Sequence, residues 1–158
     1  MNPYLIIGLQ MSAKIFAEEV EGFKPAGYDS RPDPDRFSMR EAVAHMSDWE
    51  PIFMERLKVI VNTPGATIPV YDESKRCIEQ NYGAKDPKEE VKRFLELREK
   101  TVEFLKGLSK EQLKLSGIHP ERGELTIMDM AHTIICHDLY HVEQLRSMKT
   151  AMEVVDTW

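Results

Sequence analysis

The run from Ile127 to Met148 carries apolar residues at helical spacing over an unusually wide arc. Ile134 and Leu145 mark its centre, and Ile135, Leu139 and Val142 extend it on the flanks. A helix of this kind has to be covered on more than one side. Within it lies His137-Asp138-Leu139-Tyr140-His141. Histidines four apart on a helix share a face, about 40° from one another around the axis, so both rings can close on one cation. The competing reading is a pair of core histidines, each bonded to a carbonyl or carboxylate.

Three more helices are legible upstream. The first runs from about Pro3, a favoured first-turn residue, to about Glu21, and Gly22 to Arg36 reads as a loop. Ser38-Met39-Arg40-Glu41 is a capping box, so the second helix starts near Met39 and ends before Thr63, with a kink expected at Pro51. Residues 64–86 are irregular, with a short helix near Glu73 to Gln80. Asp86-Pro87-Lys88-Glu89 opens the third helix, which Gly107 stops, and Ser109 to Leu113 makes one further turn. Thr126-Ile127-Met128-Asp129 is a capping box with Asp in place of Glu. Four helices of about 18 to 25 residues without a strand pattern predict an all-α fold, an antiparallel four-helix bundle forming one domain over residues 1–158. The excess apolar arc of the last helix is to be covered by segment 64–86 or by a second copy of the chain, and a homodimer is the favoured expectation.

Composition excludes several functions. A net charge of −6 with no Lys/Arg cluster argues against nucleic acid, whose phosphates would be repelled. No apolar run approaches the ~20 residues needed to span a bilayer. The start of the chain lacks a basic region, an apolar stretch and a small-residue cleavage site, and two cysteines make no disulfide framework. A soluble cytoplasmic protein is expected.

The third histidine that matters is His45. It lies on the second helix at the edge of the apolar arc, about 40° from Trp49, and bundles assemble metal sites from facing helices. With His137 and His141 it would present three neutral imidazoles to one side of an ion, leaving positions for water or substrate, as catalytic zinc sites do. His132 lies about 180° from His141 and cannot share that ion. His119, before Pro120, is not required by the sequence to reach the site, and Cys136 reads as a small packing residue. Asp48 and Gln144, each about one turn beyond a histidine, are candidates to hold a second ring nitrogen. Asp138 faces the core and needs an imidazole or arginine partner. The His-Asp-Leu-Tyr-His run is set apart from the zinc-protease motif by its shorter acid and by a third ligand lying upstream.

Taken together, His45-Met-Ser-Asp48 followed by His137-Asp-x-x-His141-x-x-Gln144 resembles the DinB-like (YfiT-like) family of four-helix-bundle metalloproteins. Arg40-Glu41 and Gly123-Glu-Leu-Thr126 extend the resemblance, while Pro51 and residues 64–86 fall outside it. The resemblance implies a divalent metal, zinc or nickel, on His45, His137 and His141, and a homodimer. It also implies a small-molecule substrate and the activity of a metal-dependent hydrolase, or of a transferase or isomerase using a low-molecular-weight thiol. No acid or base is assigned, Asp48 and Tyr140 being the candidates. The contrasting expectation is a non-catalytic metal-binding or dimerising bundle in a stress response.

Overall fold

Side chains at the caps start the long helices where the sequence predicts them. The computed structural model describes residues 2–156; residues 1, 157 and 158 of the expected 1–158 domain lie outside the described residues. Helix α1 (Pro3–Glu21) is capped by the Asn2 side chain, which accepts from the Tyr4 N–H. Helix α2 (Met39–Asn62) begins at the reciprocal Ser38–Glu41 box and runs through the exposed Pro51. A short α3 (Glu73–Glu79) starts at Asp72, and α4 (Pro87–Lys106) at Asp86, whose carboxylate accepts from the Lys88 and Glu89 N–H groups. Thr126 and Asp129 exchange hydrogen bonds at the head of α5 (Ile127–Asp156), which continues past the apolar run that ends at Met148.

The four long helices form a bundle in which α1 packs on α4 and α5, and α2 packs on the same two helices. The contacts fix their directions. Gly8 faces Ile135, Ser12 bonds Asp138 and Glu19 meets Arg146 and Lys149, so α1 and α5 run parallel. Ser47 meets Glu90 and Glu50 meets Arg98, so α2 and α4 are also parallel. The α1/α4 pair is antiparallel, with the Leu9 carbonyl at Arg98 and Phe16 edge-on to Phe94, and so is α2/α5, with His45 at His141 and Phe53 at His137. Parallel α2 and α4 require residues 63–86 to carry the chain back along the bundle, which is why that segment is long.

Strands are present where none was expected. β1 (Ser116–His119) and β2 (Gly123–Thr126) form an antiparallel hairpin pairing Ser116 with Thr126 and His119 with Gly123. Residues 66–68 add to its edge through Ile118 N–H to the Ala66 carbonyl and Ile68 N–H to the Ile118 carbonyl. Gly117 permits this approach, since a Cβ there would lie 2.8 Å from Ile68 and 2.9 Å from Ile60. The hairpin and the turn at Gln112–Lys114, together with α1, cover much of the wide face of α5; Leu139 stays exposed.

Two apolar clusters fill the bundle. One centres on Leu9, Phe53, Leu57, Ile60, Leu105 and Ile134, the other on Phe16, Met39, Met46, Phe94 and Leu145. Buried Arg98 on α4 links all four long helices: it donates to Glu50 on α2 (2.8 and 2.8 Å), Asp138 on α5 (2.5 and 2.9 Å) and the Leu9 carbonyl on α1 (2.9 Å). This supplies the arginine partner predicted for Asp138. Among the described residues no helix is long and apolar enough to cross a membrane.

Candidate metal centre

The antiparallel contact of α2 with α5 brings His45, His137 and His141 together. Their ring centroids lie 4.7 to 5.0 Å apart, and one potential ligand atom from each falls within 4.8 Å of the others. The Nε2 atoms of His45 and His137 are 2.9 Å apart. Aromatic rings wall the cluster: Phe37 and Trp49 lie 5.2 and 4.8 Å from the His45 ring, and Phe53 lies 5.3 Å from that of His137.

Hydrogen bonding settles the tautomer of one ring. The Gln144 amide donates to the Phe37 carbonyl (2.8 Å), which turns its Oε1 toward His141 Nδ1 (2.8 Å). His141 Nδ1 therefore carries the proton, and its Nε2 lone pair is left to face a ligand. Gln144 performs the role expected of it. Asp48 does not: it accepts from Arg76 (2.5 and 2.8 Å) and from the Tyr82 hydroxyl (2.7 Å), and pins α3 and the Tyr82 turn to α2. Burial would raise the Asp48 pKa, but its bonds to Arg76 and Tyr82 outweigh it and hold the group below the ordinary carboxylate value.

The donor set suits a cation. Burial, reinforced by neighbouring histidines, pushes His45 and His137 well below the ordinary imidazole pKa. Burial takes His141 down to about 4, against the Gln144 hydrogen bond and with help from Arg36. All three rings are neutral near pH 7, the state that metal ligation needs. Nδ1 of both His45 and His137 is buried without a hydrogen-bond partner among the described residues. Three desolvated imidazoles leave close-set lone pairs that one ring-to-ring hydrogen bond cannot satisfy. A divalent cation would meet them.

The cluster opens into a cleft of about 420 Å³ lined by His137, His141, Trp49, Phe53, Arg56, Glu73, Thr133, Cys136 and Tyr140, and by His119, Glu121 and Arg122 of the hairpin. His119 thus reaches the site, and Cys136 is an exposed wall residue instead of a packing one. Tyr140 lies edge-on to His141 (5.1 Å) under the Arg36 guanidinium (4.7 Å). His132 is exposed on the far side of α5, as its spacing predicted. Arg56, Glu73, Glu121, Arg122 and Thr133 are lining residues that sequence reasoning did not single out. For Arg56 a signal existed: eleven positions past His45, it falls within about 20° of it on the helix.

Comparisons with known proteins bear on the fold and the family. A protein of Oceanobacillus iheyensis whose name proposes a metal-dependent hydrolase is 25% identical over 111 residues, covering 70% of this chain and 63% of the relative. The chain therefore spans less than two thirds of that relative's length. YfiT from Bacillus subtilis, described as a proposed metal-dependent hydrolase with an unusual four-helix bundle topology, superimposes with a TM-score of 0.88. It is 19% identical, with 96% of this chain and 87% of that one covered. A mycothiol-dependent maleylpyruvate isomerase matches at a TM-score of 0.75 and 6% identity, over 90% of this chain and 60% of that one. An uncharacterised protein of Clostridium difficile 630 matches at 0.73 and 13%, over 92% and 94%. Residues 9–145 match the DinB superfamily, and the chain belongs to that family.

Proposed function

We propose that this chain is a metal-dependent enzyme in which His45, His137 and His141 hold one divalent ion, zinc or nickel. The reaction would be hydrolysis of a small molecule or addition of a low-molecular-weight thiol. The observation that carries this reading is the convergence of three neutral imidazoles, those of buried His45 and His141 and half-buried His137, at the head of an open cleft. Three neutral ligands leave the ion's charge uncompensated. Such an ion acts as a Lewis acid, drawing the pKa of a water or thiol beside it toward neutrality.

The chain's own residues do the rest. Gln144 keeps the proton of His141 on Nδ1, so that Nε2 faces inward. Trp49, Phe53 and Phe37 exclude bulk water from the ring edges. Tyr140, exposed at the rim and close to His141, is placed to donate or accept a proton at its hydroxyl; Asp48, committed to Arg76 and Tyr82, is not. The names of the relatives support both chemistries, hydrolysis through the Oceanobacillus protein and thiol chemistry through the mycothiol-dependent isomerase.

Esters, amides and thiol conjugates screened against zinc- and nickel-loaded protein test this reading. Turnover should disappear on chelation and return with the ion, and turnover insensitive to chelation contradicts it. A second reading is an associating bundle. Tyr4, Ile7 and Met11 on α1 and Leu139 on the adjacent α5 are exposed and apolar, which favours a homodimer through that face. Dimerisation is compatible with catalysis, and we propose a cytoplasmic homodimer of one-domain subunits.

A further inference from the structure

Arg56 is the anomaly of the cleft. Its side chain lies on α2 between Phe53 and Leu57, and the residue is only 6% exposed. Its Nε donates to the Pro69 carbonyl (2.9 Å), but its two terminal nitrogens have no hydrogen-bond partner, and no carboxylate lies within 4.0 Å, among the described residues. Glu55 and Glu73 act on it only through space, so the two terminal nitrogens open to the cleft as an unengaged fork, a geometry that matches a carboxylate in a bidentate pair.

The neighbours complete a receptor. His119, 5% exposed, accepts at Nδ1 from the Glu121 N–H (3.2 Å), which leaves its Nε2–H as a free donor. Arg122, exposed at the hairpin tip, adds a second positive charge. Two carboxylates also face the cleft, Glu73 and Glu121. Burial raises the Glu73 pKa while Arg122 and Arg56 pull it down, so it lies within electrostatic reach of both arginines. Two arginines against two glutamates leave the lining with no surplus charge, so the unengaged donors can pair with one carboxylate while a doubly charged phosphate meets uncompensated repulsion from the glutamates.

We propose that this cleft binds a carboxylate of the substrate, with Arg56 as the bidentate anchor, His119 as a hydrogen-bond donor and Arg122 as the charge at the mouth. The substrate class is then a small organic acid whose apolar part lies along Trp49 and Phe53 and whose reacting group faces the three histidines. The assignment of a reacting end rests on the metal-enzyme reading; the carboxylate subsite itself does not need the ion.

Chemical-shift titrations of the full chain, metal-free and zinc-loaded, with 3-phenylpropionate, 3-phenylpropanamide and inorganic phosphate test it. The acid should bind both forms, at least about tenfold more tightly than the amide. Arg56→Gln should lose about tenfold for the acid, and Arg122→Ala, on an exposed side chain, about threefold, with unchanged circular dichroism and amide affinity. An amide that binds as tightly as the acid, or phosphate that displaces the acid at lower concentration, overturns the proposal. So does a folded Arg56→Gln or Arg122→Ala protein with wild-type affinity for the acid. Protein that binds the acid but no zinc would instead defeat the metal reading and leave the subsite standing.

Discussion

Arg98 grips Asp138 through two hydrogen bonds of 2.5 and 2.9 Å, one position along α5 from His137. The same guanidinium holds Glu50 on α2, the helix that carries His45. Both helices that carry the three clustered histidines are thereby tied to one buried cation. Arg98→Leu leaves two buried carboxylates uncompensated, and removing one partner of such a network costs about 3–5 kcal/mol. Urea unfolding should show a loss of that size, and a loss below about 1 kcal/mol would mean that the network does not organise the bundle.

Gln144 and Asp48 occupy similar places in the sequence relative to a histidine but differ in what they touch. Gln144→Leu frees the His141 tautomer and should weaken zinc binding about 10–100-fold with little change in helicity. Asp48→Asn should leave zinc affinity unchanged and lower stability by about 1–3 kcal/mol through Arg76 and Tyr82. A competition titration against a chromophoric chelator separates the two, and equal effects would contradict the assignment.

Glu19 ties α1 to the parallel α5 through Lys149 (2.8 Å) and Arg146 (2.7 Å). Burial raises its pKa, but the Lys149 and Arg146 hydrogen bonds prevail, and the folded value lies below the ordinary 4.5. Below 4.5 the unfolded chain takes up this proton first, so the stabilisation is present above that pH and is lost as pH falls through the folded value. Glu19→Gln should flatten the stability–pH curve below 4.5, measured by urea midpoints. A curve parallel to wild type would rule the pair out as a contributor.

Gly117→Ala would place a methyl 2.8 Å from Ile68 and 2.9 Å from Ile60. Overpacking of this kind costs about 1–3 kcal/mol. Hydrogen exchange should then quicken at Ile118 and Ile68, whose N–H groups bridge the hairpin to residues 66–68; unchanged protection would show that the edge yields without strain.

The legible parts of this protein are the ones written in local pattern. Capping at Ser38, Asp86 and Thr126 marks helix starts, and the spacing of His137, His141 and Gln144 sets a face and its supporting amide. The hairpin is not written that way. Its four-residue strands are too short to display alternation, and they depend on Ala66, Ile68 and the missing Cβ of Gly117, contacts distant in sequence. The same distance hid the Asp48–Arg76 pair, which reassigns a carboxylate that spacing alone placed beside His45. Arg56 was readable in principle, as a charge on the histidine face of α2. Its meaning depends on the hairpin tip, which brings His119 and Arg122 to it.

The account stands or falls on whether three rings from α2 and α5 share one ion. Zinc-loaded, dialysed protein should contain about one metal per chain by elemental analysis, and His45→Ala, His137→Ala and His141→Ala should each lose it while keeping the helical circular dichroism signal. Wild-type protein without metal, or a folded His137→Ala variant retaining it at full stoichiometry, would contradict the account.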